Sequence, residues 1–334
     1  MGLALFFVSG CAGPLLLDGG PCRLIHAPVA LPAEVPESSG VVPAWLGEGE
    51  SEDRGSRTSE APLLAASPFE ASSPTAEVYW THNDSGWDPV LFGVTHGGSL
   101  QEVVRVVGAE NVDWEDLAAG PCTHGRCLVI ADTGDNLEER EHLTLYRVPE
   151  PQPGDTLSRA AEALDLALPH GPRDVEALLL LPDDHFLLVS KGRSHPVEVY
   201  RTPATWPTTW EGGPASKSDK PASAPLQLER VQQLTSRRPH LPRMVTGGAV
   251  APDGRLAVIR SYEGLHFYEI RVDGPEPLHP VEGGRVNLRP LREAQGEAVA
   301  FVPGNRLVLT SEAGPGQALG QMSFLECRLP GWSW

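Results

Sequence analysis

Short apolar runs of four to eight residues, broken by turn signals, fill most of the chain, and sustained helical periodicity is scarce. The runs recur as a unit. A small or acidic residue leads into a glutamate, then an apolar run, a turn, a second apolar run and a polar cluster. The copies are "SEAPLLAAS" with "EVYWTHNDSG", "DWEDLAAGP" with "CLVIADTGDN", "DVEALLLLPDDHFLLVSKGRS", "TGGAVAPDGRLAVIRSYEG" and "GEAVAFVPGNRLVLTSEAG". Most are followed by a third alternating run ("VLFGVTH", "LTLYRVPE", "VEVYRTP", "LHFYEIRV", "MSFLECRL"), and some by a fourth, such as "LQEVVRVV" and "LQLERVQQL".

Three or four short antiparallel strands recurring every roughly 50 to 70 residues predict an all-β fold, a β-propeller around a central channel. Five copies predict five blades, or six if residues 201–245 hide a degenerate one. A β-sandwich is the alternative, but it leaves the recurring glutamate unexplained. "PDG" at 252–254 and "PGN" at 303–305 are turns of the kind that close blade hairpins. On this reading the propeller spans 59–334.

The repeat aligns Glu60, Glu115, Glu176 and Glu297, with Gly248 in the fourth copy. In a propeller the first strand of each blade lines the channel and the second returns to the face where the first began. One mouth should therefore gather these glutamates with His82, Asn83 and Asp84, with Asp132 and Asp135, with Lys191 and Arg260, and with Ser311 and Glu312. So many carboxylates cannot all ionise cheaply, because like charges and burial both raise their pKa values. Lys191 and Arg260 are the internal cations, and a hard divalent ion with oxygen ligands, Ca²⁺ foremost, is the simplest remedy for the remaining charge. The alternatives at these positions are hydrogen bonding between blades and direct catalysis, with Glu115, Lys191 and Arg260 as the catalytic candidates.

Composition narrows partners and place. With 44 acidic against 26 basic side chains the chain carries a net charge of −18, which argues against nucleic acid or an anionic membrane surface. The opening "MGLALFFVSGCAGP" has small residues before Cys11 after an apolar run, as in a bacterial lipobox, so residues 1–11 are expected to be a lipoprotein-type signal and Cys11 the lipidated residue. A buried apolar strand is the other reading. Residues 12–58, rich in Pro, Gly, Ser and Glu, are expected to form a tether, ordered only in part. Without Cys11 four cysteines are left, an even number that suits an oxidising compartment. Cys122 and Cys127 would staple a hairpin and Cys22 and Cys327 would join the chain ends, with free thiols as the alternative. A monomer in the cell envelope, touching the membrane through its lipid alone, is the expectation, or a secreted one if Cys11 is not lipidated. The chain has no G-x-S-x-G elbow, H-E-x-x-H pair, P-loop or dinucleotide fingerprint.

The ordered series "YWTHNDSG", "DWEDLA", "IADTGDN", "DVEALLLLP", "TGGAVAPDGRLAVIRSYE" and "GEAVAF" resembles a family of bacterial exported or lipoprotein β-propellers, over roughly residues 59–330. More distantly it is similar to the esterase-like phytase propellers. In calcium-dependent phytases acidic residues at the channel mouth hold Ca²⁺ ions that bind phosphate. The resemblance implies Glu60, Asp84, Glu115, Asp132, Asp135, Glu176 and Glu297 as metal ligands. It implies Lys191 and Arg260 as contacts to a small polar or phosphorylated ligand; His82, Asn83, Ser311 and Glu312, brought to the same mouth by strand direction, are the further ligand-binding candidates. Cation binding, phosphoester hydrolysis and a purely scaffolding role all follow from such a fold, and the site must decide among them.

Overall fold

The computed structural model describes residues 17, 20–44, 78–122, 125–203, 224–234 and 244–334. Cys11 and Glu60 lie outside the described residues, as do the whole of the expected signal and most of 201–245.

Twenty-two strands among the described residues form five sheets arranged as the blades of a propeller. β1 (Cys22–Leu24) and β2 (Val29–Ala30) precede the first blade, which is β3 (Ser38–Pro43), β4 (Val78–Asn83), β5 (Val90–Thr95) and β6 (Leu100–Arg105). The second blade is β7 (Trp114–Cys122), β8 (Gly125–Asp132), β9 (Leu143–Pro149) and β10 (Glu162–Ala167). The third has β11 (Val175–Leu180), β12 (Phe186–Ser190) and β13 (Val197–Arg201). Its chain then adds the two-residue β14 (Leu226–Gln227) parallel to β10 of the second blade before returning as β15 (Glu229–Leu234). β16 (Val245–Val250), β17 (Leu256–Ser261), β18 (Gly264–Ile270) and β19 (Leu278–Asn287) make the fourth blade. The fifth is β20 (Gln295–Val302), β21 (Arg306–Glu312) and β22 (Gln321–Cys327), completed by β1 and β2 pairing antiparallel to β22.

The apolar runs are near-continuous because both faces of each blade are buried. Consecutive side chains point to opposite neighbours: Tyr79 packs toward the fifth blade and Trp80 toward the second, and Leu178 and Leu179 divide the same way between the second and fourth. Among the described residues five apolar clusters result, one for each interface between blades.

One expectation needs correction. The stretch expected as a tether supplies β1, β2 and β3, so the first blade takes its inner strand from "SSGVVP" and not from the region of Glu60. Its signal was weak because only Val41 and Val42 are apolar. Gly40 stands where inner strands touch, and a Cβ there would come within 2.7 Å of Leu117. The five blades expected are those found; the alternative of a sixth in 201–245 has no support among its described residues, whose strands β14 and β15 extend the second and third blades.

Both cysteine pairings hold. Cys22 bonds Cys327 across the β1–β22 register, and Cys122 bonds Cys127 across the β7–β8 hairpin. Two disulfides suggest an oxidising, non-cytoplasmic location.

Candidate functional site: an acidic channel mouth

Every inner strand breaks register with its second strand near its start. Ser38, Trp114, Val175, Val245 and Gly296 pair with Asn83, Asp132, Ser190, Ser261 and Ser311, and a bulge follows at once. The first bulged residues are Ser39, Glu115, Glu176, Thr246 and Glu297, so the repeated glutamate occupies three of five positions. Thr246, not Gly248, is the fourth copy's counterpart, and Ser39 takes the place assigned to Glu60.

Two residues earlier stand Glu37, Asp113, Asp174, Met244 and Gln295. With a side-chain period of two these share the channel side with the bulged set. The D-x-E spacing at 113–115 and again at 174–176 was the sequence signal for this second tier. Ends of second strands bring Asp84, Lys191, Tyr262 and Glu312 to the same mouth, where they act electrostatically on the tiers.

The carboxylates crowd most closely at the second and third blades. Asp84, Asp113 and Glu115 can each direct an oxygen to a common point, and so can Glu115, Asp174 and Glu176, with the oxygens of each trio within 4.8 Å of one another. Either trio could share one hard cation with oxygen ligands. Among the buried atoms, Asp113 Oδ1, Asp174 Oδ2 and Glu176 Oε2 lack a hydrogen-bond partner. Lys191 Nζ donates to Glu176 Oε1 and sits 3.6 Å from Asp174 Oδ2. Gly134 closes the second blade's side. A Cβ on it would lie 2.5 Å from Asp113 Oδ2 and closer still to Glu115 Oε1, so the backbone of "DTGDN" abuts the carboxylates only because this residue has no side chain.

Protonation follows from that crowding. Burial, then Asp84, pushes Asp113 up to about 7. Burial and Glu37 raise Glu312 to about 7, with Lys191 and Gln295 opposing. Glu115, Glu176 and Glu297 stand well above the ordinary glutamate value, chiefly through burial and secondly through each other's charge or, for Glu176, against the pull of Lys191. Burial works to lower Lys191, but Glu176, Glu115 and Asp174 prevail and hold it above the ordinary lysine value. Tyr262, which the sequence did not single out, is raised to about 12 by burial beside Lys191 and Glu297.

Other expected site residues have different duties. Arg260 is fully buried: Nη1 donates to Ala298 O (2.7 Å) and Thr310 O (3.0 Å), and Nη2 pairs with Glu293. It ties the fourth blade to the fifth and is not placed to meet a ligand. Gly296 leaves the room its guanidinium fills. Its partner Glu293 sits in a loop before β20, outside the repeat, and carried no sequence signal. Asp132 accepts from Asp113 N (3.0 Å) and pairs with Arg140 (3.0 Å), while Asp135 accepts from Glu139 N (2.9 Å) and Arg140 N (2.8 Å). Both hold the loop after β8, so neither joins the trios. Asn83 bridges Glu37 N and Glu34 O, and Ser311 accepts from Gln321 N. His82 is buried edge-on to Trp114 and lowered to about 4 by burial, with its Nε2 unpartnered.

Below the two tiers lies Asp116. Its Oδ1 accepts from Leu117 N (2.8 Å), and its Oδ2 accepts from Leu178 N of the third blade (2.8 Å) and Gly248 N of the fourth (3.1 Å). Burial drives its carboxyl well up, opposed by those three donors. It is fully enclosed.

Fold and site together define a five-bladed propeller with an acidic group at one channel mouth that could hold a cation. The chain matches no protein-family model and no curated relative. Solved structures similar in architecture include the PQQ-bound aldose sugar dehydrogenase of Streptomyces coelicolor, at 12% identity over 92% of this chain and 98% of that one, TM-score 0.47. The major allergen Mala s 1 of Malassezia sympodialis is 11% identical over 78% and 93%, TM-score 0.47. The calcium structure of a Trichoderma reesei family AA12 carbohydrate-active enzyme is 14% identical over 94% and 97%, TM-score 0.42. At such distances none assigns an activity.

Proposed function

We propose that this chain is an exported, lipid-anchored propeller that binds a hard divalent cation of the Ca²⁺ class at its acidic mouth, with a small polar ligand completing the coordination. One observation carries the reading. Two carboxylate trios share Glu115, keep Asp113 Oδ1 and Glu176 Oε2 buried without a hydrogen-bond partner, and have Lys191 as the one cation bonded to them among the described residues. A hard ion with oxygen ligands answers that donor set. Asp84, Asp113, Glu115, Asp174 and Glu176 would hold it, and the ion would supply positive charge where a polar or anionic ligand docks. Phosphoester chemistry is less well supported, because Arg260 is committed to Glu293 and Lys191 to Glu176 and Asp174.

Calcium titration followed by calorimetry and thermal melting tests the reading. A ligand at a hundred times its Kd stabilises the native state by about 2.7 kcal/mol, so the melting point should climb with Ca²⁺ and stay put for Glu115→Gln. An unmoved melting point in Ca²⁺, Mg²⁺ and Mn²⁺ would sink the proposal. Metal-dependent turnover of a generic phosphoester would promote the enzyme instead. For the anchor, mass spectrometry of membrane fractions should find acylated Cys11, and an intact Met1 in soluble cytoplasm would refute export.

A further inference from the structure

A tryptophan that the carboxylate tiers do not use stands on the rim of the mouth. Trp87 lies in the loop between β4 and β5, three residues after Asp84, and is 43% exposed. Its Nε1 donates to the Glu37 carboxylate, so its one polar group is spent and only the indole face is offered to solvent. Glu37 belongs to the same tier as Asp113 and Asp174, and its charge acts on both Asp84 and Glu312. Val112, 53% exposed, stands beside Asp113 on the adjoining loop. Asn111 ties that loop to the one bearing Trp87, its Nδ2 donating to Asp84 O at 2.7 Å and to Asn83 O at 3.3 Å. Apolar surface thus borders two acidic stations. One is Asp84 with Asp113, a residue only 8% exposed whose Oδ1 is buried and unpartnered. The other is Glu37 with Glu312. Among the described residues no lysine or arginine is bonded to that second pair, Lys191 being taken by Glu176 and Asp174.

We propose that this rim binds an alkyl diammonium ion, a polyamine in chemical class, with its methylenes on Trp87 and one ammonium group at each acidic station. Three features choose among ligands. Lys191 and one divalent ion together still leave the carboxylates of the mouth in excess, so the rim attracts organic cations and repels phosphates and carboxylates. The indole face adds to that attraction, since the ring quadrupole favours a cation within about 6 Å of its centre. Buried carboxylate oxygens without partners call for N–H donors, which a primary ammonium has and a quaternary one lacks. A neutral sugar could lay its C–H face on Trp87, but it would draw nothing from the excess charge. Trp87 is three residues from one station and bonded to the other, which matches a ligand charged at both ends and apolar between them. The site goes beyond the cation proposed above, because it needs Glu37, Glu312 and Trp87, none of which belongs to either carboxylate trio. Asp84 and Asp113 are common to both, so ion and amine exclude each other there.

Calorimetric titration of the full chain with 1,4-diaminobutane, at pH 7.5 and fixed ionic strength without Ca²⁺, tests the assignment apart from the metal reading. Saturable binding is expected, with 1-aminobutane weaker by about tenfold or more and the neutral 1,4-butanediol not bound. Trp87→Leu leaves the net charge untouched, so it separates a built site from the general pull of an acidic protein on polycations. It should weaken the diamine by about fivefold or more, and Glu312→Gln should do the same. Glu269→Gln, at the far end of β18, removes a charge and should change nothing. Melting of each variant without ligand checks that it is folded. A folded Trp87→Leu protein with wild-type affinity would overturn the proposal, as would butanediol binding as tightly as the diamine. A melting point that climbs with Ca²⁺ while the diamine fails to bind would sink this site and leave the cation reading standing.

Discussion

The last blade is completed by strands that precede the first, and a disulfide fixes that closure. Cys22 and Cys327 are 305 residues apart in sequence, while Cys122 and Cys127 are separated by only 5. Cross-linking the denatured chain removes entropy that grows with the logarithm of loop length. The chain-entropy relation gives about 5–6 kcal/mol at 25 °C for the long loop and about 2 kcal/mol for the short one. Each is an upper figure where the unfolded chain keeps residual structure. Without the disulfide, β1 is held by three paired residues, Cys22–Leu24 against Leu325–Cys327. The perturbation is therefore Cys22→Ala with Cys327→Ala, compared with Cys122→Ala and Cys127→Ala, each followed by urea denaturation. The closure variant should lose several kcal/mol more than the hairpin variant. Its slope against urea should also steepen, because a longer free chain exposes more surface on unfolding. Equal losses for the two variants would refute the entropic account and leave local packing of the buried cysteines as the explanation.

Other outcomes follow from the mouth. Asp116→Asn should destabilise by about 2–4 kcal/mol in urea denaturation, since an amide cannot accept from Leu117, Leu178 and Gly248 together, yet Ca²⁺ affinity in the folded variant should be unchanged. Gly134→Ala should leave the protein folded, at a cost of about 1–3 kcal/mol, and cut Ca²⁺ affinity at least tenfold by calorimetry, because its Cβ invades Glu115 and Asp113. Asp113 and Glu312 are raised in the folded state to about 7. Between the ordinary carboxyl value and 7 the native state therefore binds more protons than the unfolded one, so these groups make stability fall as pH rises through that window and level off above it. Melting without Ca²⁺ at pH 5 and at pH 8 reads that slope. Calcium should oppose the part due to Asp113, since the ion displaces that proton and binds more tightly as pH rises.

Much of the fold was legible because a buried blade writes itself as paired apolar runs with a turn between, and five such pairs recur. Glu115, Glu176 and Glu297 were legible as a repeat, and their convergence followed from strand direction alone. The first blade's inner strand was not, because Ser38, Ser39 and Gly40 look like linker and are buried only by what packs on them. Arg260 was misjudged for a related reason. Its blade lacks a glutamate, but its charge is answered by Glu293, a loop residue outside the repeat. Asp132 and Asp135 sit in an acidic stretch that reads as a cation loop, while the oxygens of Asp132 are taken by the backbone of Val112 and Asp113 and by Arg140, and those of Asp135 by the backbone of Glu139 and Arg140. Register breaks also escaped notice, and they decide that Thr246, not Gly248, faces the mouth.

Asp116 has a consequence for traffic. A side chain that reaches from the second blade to the fourth, with no exposure to solvent, stands across the axis and keeps it dry at that depth. The propeller is thus a cup and not a pipe. Whatever settles among the carboxylates is then expected to enter and leave by one opening, on the side of the bulged residues. Occupancy then depends on the loops around that rim alone, so changes on the opposite face should leave both the rate of capture and the rate of release untouched.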